Sequence, residues 1–210
     1  MADVTKNGII VNPSSGSGDT TLKVKAQVAN KGNRVVQKAT FTVSAPGAEN
    51  KQFVANHVPA NEFVNFDNGS SMSVSKSGGT ITITGTSNST KLTFTKGSGD
   101  IVTADISSIT YQAAGENTVN GVAIEGDPGA TAKYAFTLTL QGTENDTVKA
   151  RSQQITVVGG GGAEITATIT LNQTAGDPTL EVTPTTIDVP QDGSEVSVQV
   201  TTNTTFTVAY

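Results

Sequence analysis

Met72-Ser-Val-Ser-Lys-Ser-Gly-Gly-Thr-Ile-Thr-Ile-Thr-Gly-Thr-Ser-Asn-Ser-Thr90 is the stretch that decides the fold. Ile81 and Ile83 alternate with Thr80, Thr82 and Thr84, so an extended chain here has one apolar face and one hydroxylated face. Ser77-Gly78-Gly79 is a turn signal before it, and Ser87-Asn88-Ser89 is one after it. The pattern returns without a gap as Ile187-Asp-Val-Pro-Gln-Asp-Gly-Ser-Glu-Val-Ser-Val-Gln-Val-Thr-Thr-Asn-Thr-Thr205, so Met72 aligns with Ile187 at an offset of 115. Gly18 through His57 and Gly129 through Gln173 match more loosely, with Lys38 to Val43 set against Arg151 to Val157. A period this long belongs to whole domains rather than to solenoid repeats.

The same alternation runs outward along the chain. It predicts strands over Thr21–Val28, Ala39–Val43, Thr80–Thr84, Ala132–Leu140, Ile165–Leu171 and Glu195–Val200, bounded by Gly, Ser and Asp turns. The inward set is expected to be Leu22, Val24, Val28, Phe41, Val43, Ile81, Ile83, Phe94, Phe136, Leu138, Leu140, Ile155, Val157, Ile165, Ile169, Leu171, Val196 and Val198. Threonine occurs 34 times, and its β-branched side chain suits the solvated face of a strand. No stretch of ten residues has an apolar period of 3.6, so helices are not expected. With 210 residues and 35% hydrophobic content, the chain has room for one large or two ordinary β domains and is not a disordered polymer. The fold class is therefore all-β, built of tandem immunoglobulin-like β-sandwich modules.

Charge and composition remove several function classes. The net charge of −5 and the presence of only two arginines, Arg34 and Arg151, leave no basic stripe for nucleic acid. There is no cysteine, which excludes disulfides and thiolate metal sites. No stretch approaches a membrane span, and Met1 through Val11 lacks the apolar run of a secretory signal, so assembly in the cytoplasm is expected.

Chemistry-bearing residues are sparse. His57 is the only histidine, too few for a metal cluster, and it has no oriented nucleophile in view. Gly159-Gly160-Gly161-Gly162 follows a strand but leads into Ala163-Glu164-Ile165-Thr166, another strand, so it reads as a hairpin turn and not a phosphate loop. Asp100, Asp105, Glu116, Glu125 and Asp127 lack calcium-loop spacing and read as solvated loop acids. Sugar platforms need exposed aromatics, and the chain has no tryptophan; Tyr111, Tyr134 and Tyr210 are the candidates. Asn68, Asn88, Asn145, Asn172 and Asn203 each begin an Asn-x-Ser/Thr triplet, which reads as a consequence of composition. No catalytic, cofactor-binding or metal-ligating residue is assigned, and the chain is read as non-enzymatic.

Pro184 through Val208, with its Pro-Gln-Asp-Gly turn and Thr-Asn-Thr turn, resembles the opening half of a BACON domain, an immunoglobulin-like module of gut Bacteroidetes and their phages. Asn12-Pro-Ser-Ser-Gly-Ser-Gly-Asp-Thr-Thr-Leu-Lys-Val24 and Phe41-Thr-Val-Ser-Ala-Pro-Gly-Ala48 look like the second half. The family places Trp after the Ser-Asn turn, where this chain has Phe206 in one copy and Lys91 near the other. The resemblance implies three units: 1–57 as the C-terminal half of a module, 62–177 as a complete module with an insertion near 101–124, and 178–210 as an N-terminal half. The two halves are expected to complete each other in cis or in trans; the alternative is a small independent sheet over 1–57. The resemblance further implies a capsid decoration or auxiliary protein of a crAss-like phage virion, assembled in the host cytoplasm. The major capsid protein, other virion proteins and copies of itself would be its partners. The alternative is a secreted or surface module that binds carbohydrate or mucin, with glycans as partners.

Overall fold

The computed structural model describes residues 2–30, 32–111, 117–160 and 165–210. The described residues contain no α-helix; a single 3-10 turn spans Pro128–Ala130. The chain is an all-β protein of immunoglobulin-like sandwich modules.

The central module is a sandwich of two sheets around one core. One sheet has the order β11-β10-β12-β8-β6, from β6 (Val64–Phe66), β8 (Gly79–Ser87), β10 (Ser108–Tyr111), β11 (Asn117–Val119) and β12 (Tyr134–Gly142). The other has the order β7-β14-β13-β9, from β7 (Ser71–Val74), β9 (Leu92–Lys96), β13 (Arg151–Gly159) and β14 (Ile165–Gln173). The long pair β8–β12 sets Ile81 opposite Leu140 and Ile83 opposite Leu138, and all four are buried. Opposed residues of an antiparallel pair share a face, so the isoleucines and leucines meet and their threonine neighbours turn away. Across the core Phe94 and Phe136 meet edge to face at 5.5 Å, with Phe66 at 6.1 Å from Phe136. The stretch 101–124 carries β10 and β11 and buries Ile101, Val102, Ile109, Tyr111 and Ile124 in this core. The buried Gln153 amide ties the 97–102 loop down, accepting from Val102 N at 2.7 Å and donating to Gly97 O at 3.0 Å and Gly99 O at 3.1 Å.

The N-terminal unit is smaller. β1 (Val4–Lys6), β2 (Ile9–Asn12) and β3 (Lys23–Ala26) form a sheet in that order, and β4 (Gln37–Val43) pairs with β5 (Lys51–His57). Between them lie Ile9, Val11, Ala39 and Phe41, with Phe53 stacked on Phe41 at 5.3 Å. At the other end of the chain, β15 (Leu180–Thr183) pairs with β16 (Gln199–Thr202) and with no other described strand.

Eleven residues of the expected core are buried: Phe41, Ile81, Ile83, Phe94, Phe136, Leu138, Leu140, Ile155, Val157, Ile169 and Leu171. Ile165 is half-buried. Leu22, Val24, Val28, Val43, Val196 and Val198 correct the expectation, because all six are exposed. Val24 lies opposite the buried Val11 and so faces inward, yet it stays 45% exposed because no strand among the described residues flanks β3 on its outer side. The expected strand Thr21–Val28 shortens to Lys23–Ala26, and Glu195–Val200 gives way to Gln199–Thr202. Residues 194–198 have no partner among the described residues, and an extended segment without a ladder is not held as a strand. The hairpin turn expected over Gly159–Gly162 falls partly on residues 161–164, which lie outside the described residues; Gly159 pairs with Ile165 across it.

Two consequences are measurable by chemical denaturation. Phe136→Ala is expected to cost about 3–5 kcal/mol, whereas Val198→Ala, at an exposed site, should stay within about 0.5 kcal/mol. Burial also pushes the Tyr111 phenol up to about 12, and burial raises that of Tyr134 as well. The unfolded chain ionises near pH ~10 while the folded one holds its protons, so stability is complete below that pH and falls as pH rises toward the folded value. Stability measured from pH 8 upward should show this loss, and Tyr111→Phe should make it shallower.

Candidate functional site

The sites with the densest side-chain chemistry are the two joints between units. Asn88 directly follows β8 and is completely buried. Its Oδ1 accepts from Phe63 N at 2.8 Å, and its Nδ2 donates to Asn61 O at 3.0 Å and to Gly32 O at 2.9 Å. One amide thus satisfies three backbone groups, one of them in the N-terminal unit. Arg34 reaches across the same seam. Its Nη2 contacts both Asp127 carboxylate oxygens, at 2.5 and 2.6 Å, and its Nε donates to the Asn88 carbonyl. The backbone follows: Arg34 N and Val35 N both donate to Ala130 O, at 3.1 and 3.3 Å. On the central side of the seam Gly129 packs against the Asn88 backbone, where a Cβ would stand 2.1 Å from Asn88 O. Asn30 closes the unit behind the seam, donating to Val58 O at 3.0 Å and accepting from Asn33 N at 2.8 Å.

The second joint repeats the first. Asn203 stands 115 positions after Asn88, and its Oδ1 accepts from Thr179 N at 2.9 Å. Its Nδ2 donates to Asp177 O at 2.9 Å and, across the seam, to Asp146 O at 2.7 Å. Asn145 stands 115 positions after Asn30 and donates to Thr174 O at 2.9 Å, as Asn30 does to Val58 O. Thr147 Oγ1 donates back to Asn145 Oδ1 at 2.7 Å. Lys76 pairs with Asp177 at 2.5 Å, and a Cβ on Gly176 would stand 2.1 Å from Asn145 O. The first joint sits at the Ser87 end of β8 and the second at the Gly79 end, so the two lie at opposite ends of the central sandwich.

The residues weighed from sequence fall elsewhere or change meaning. His57 ends β5, half-buried, with Nδ1 3.4 Å from Gln37 Oε1. Tyr111 and Tyr134 are buried and packed edge to face at 5.4 Å, which withdraws them as sugar platforms; Tyr210 is exposed. Asp127 is the partner of Arg34, and Asp105 lies 3.4 Å from Lys96. Asp100 and Glu125 are exposed, and Glu116 lies outside the described residues. No group of three His, Cys, Asp or Glu side chains is gathered among the described residues. Of the Asn-x-Ser/Thr asparagines, Asn88, Asn145 and Asn203 are the joint residues, a role the triplet reading missed. Their shared offset of 115 with Asn30 and Asn88 was the available signal.

Removing the Asn88 amide strands the Phe63 N–H and two carbonyls, so Asn88→Ala is expected to cost about 1–3 kcal/mol in the melting of the central module. The half-buried counterpart should act locally: Asn203→Ala should speed protease cleavage beyond residue 177 and leave that melting unchanged.

No protein-family model matches the sequence, and no curated protein does. Among solved structures, the chain is similar to mouse clustered PcdhgC3 EC1-3 at 16% identity, covering 72% of this chain and 47% of that one, with a TM-score of 0.39. It is also similar to domains 4 and 5 of the S-layer protein SbsC, at 16% identity over 80% of this chain and 90% of that one, with a TM-score of 0.34. Domains 4–9 of the same surface-layer protein match at 16% identity over 95% of this chain and 34% of that one, with a TM-score of 0.35. The chain thus spans about half of the protocadherin chain that it matches.

Proposed function

We propose that this chain is a non-enzymatic structural protein of a phage virion, which decorates or reinforces the capsid through its immunoglobulin-like modules. The observation that carries the structural part is the repeated joint. The amides of Asn88 and Asn203 and the Arg34–Asp127 pair tie successive units end to end. Chemistry of that kind is spent on geometry: it fixes the spacing between modules. The capsid setting follows from the resemblance to BACON-like modules, and it makes the major capsid protein or another virion protein the partner.

The test is cosedimentation of the purified chain with capsids of a crAss-like phage. Saturable binding at a fixed ratio to the major capsid protein is expected, together with recovery of the chain from purified virions. Absence from virions combined with binding on a glycan array would replace this reading with the carbohydrate-binding one.

A further inference from the structure

Set against the central module, the N-terminal unit has no strands among the described residues in the places of β6, β7, β8 and β9, and residues patterned like the first three lie at the other end of the chain. In the central module, β12 is flanked by β10 on one side and β8 on the other, while β14 is flanked by β13 and β7. In the N-terminal unit β3 occupies the place of β12 and has β2 on one side only; β5 occupies the place of β14 and has β4 only. The hairpins share a register. Phe41 opposes Phe53 as Ile155 opposes Ile169, and Gln37 opposes His57 as Arg151 opposes Gln173. The absent neighbours are therefore the counterparts of β7 and β8.

Residues 178–210 are those counterparts. Leu180, Glu181 and Val182 oppose Thr202, Thr201 and Val200, as Val64, Asn65 and Phe66 oppose Ser87, Thr86 and Gly85. The turn is also reproduced: Gly193 N donates to Pro190 O at 3.0 Å, as Gly78 N does to Ser75 O at 2.9 Å. What differs is burial. Val196 and Val198 align with Ile81 and Ile83, which are 3% and 0% exposed, yet each is 40% exposed; Val189 is 67% exposed where Val74 is 6%.

The inward face of the N-terminal unit is open along the matching edges. A groove of about 330 Å3 runs between β3 and β5, lined by Ile9, Val24, Ala26, Ala55, His57 and Val58 among others. Charge is complementary as well. Residues 1–57 carry seven basic and three acidic side chains, net +4, while 178–210 carry four acidic and no basic ones, net −4. Pairing within one copy is not formed, because the Asn203 and Asp177 contacts hold 178–210 at the end of the central sandwich away from the N-terminal unit. The nine-residue β8 puts roughly 26 Å between those ends.

We propose that residues 186–202 of one copy complete the N-terminal sandwich of a second copy. Ser194–Thr202 adds antiparallel to β3, as β8 does to β12, and Thr186–Val189 adds parallel to β5, as β7 does to β14. Val196 and Val198 then cover Leu22, Val24 and Ala26. The contact is head to tail, so it propagates into a chain of copies rather than closing a two-fold dimer. It concerns copies of this protein only and stands apart from what the assembly coats.

The test is sedimentation velocity of the full chain, without capsids, from about 1 μM to about 1 mM. Species larger than one copy should grow with concentration and shrink as salt is raised. Val198→Asp removes the donor and Val24→Asp the acceptor; both sites are exposed in the single copy, so the melting of the central module should be unchanged. Each variant alone should remain a single copy, and their mixture should form one-to-one pairs and nothing longer. A wild-type chain that stays single throughout, or assembly that survives either substitution, overturns the proposal.

Discussion

A primary amide with three backbone partners is the constraint on which the arrangement of this molecule depends. Where a module ends, strands stop and their terminal N–H and C=O groups must still be satisfied, most of all when another unit covers them. Asn88 meets that need with one acceptor and two donors, and one of its partners belongs to the neighbouring unit. The seam is thereby tied to the end of β8 instead of resting on apolar contact. Leucine in this place would leave the same groups buried without partners, while a shorter serine would reach fewer of them.

The second seam, at Asn203, uses the same geometry in a more exposed setting. The contrast separates two contributions. The hydrogen-bond pattern is intrinsic to the local sequence, because it forms even where only β15 and β16 are present. The burial of the amide comes from the complete module around it.

The sequence was most legible where strands have neighbours on both sides. β8 and β14 extend only a few residues beyond the alternating runs and β12 is shifted by two, because period-2 patterning and a covered core agree there. Alternation failed at Leu22, Val24, Val196 and Val198 for a definite reason: it tells which face a residue lies on, but whether that face is covered depends on another segment. The tyrosines illustrate the opposite limit. Tyr111 and Tyr134 were candidate sugar platforms because the chain has no tryptophan, yet β10 and the start of β12 bring them together in the core. The joint asparagines were visible as letters and hidden as a role. Their triplets matched a common composition, and only their spacing tied Asn88 to Asn203 and Asn30 to Asn145.

The parallel pair β7–β14 gives the central module a direction under load. The chain enters through β6 at the Asn88 end and leaves through β14 at the opposite end, with β7 continuing from β6. Tension between the two joints therefore draws β7 and β14 past each other along their length. The ladder from Ser71–Thr170 to Val74–Gln173 lies across that motion, so its bonds are strained together and must yield together. A hairpin pulled open from its ends loses its bonds one after another. This module meets a pull between its two joints in shear, so its ladder resists as a unit where a hairpin would unzip.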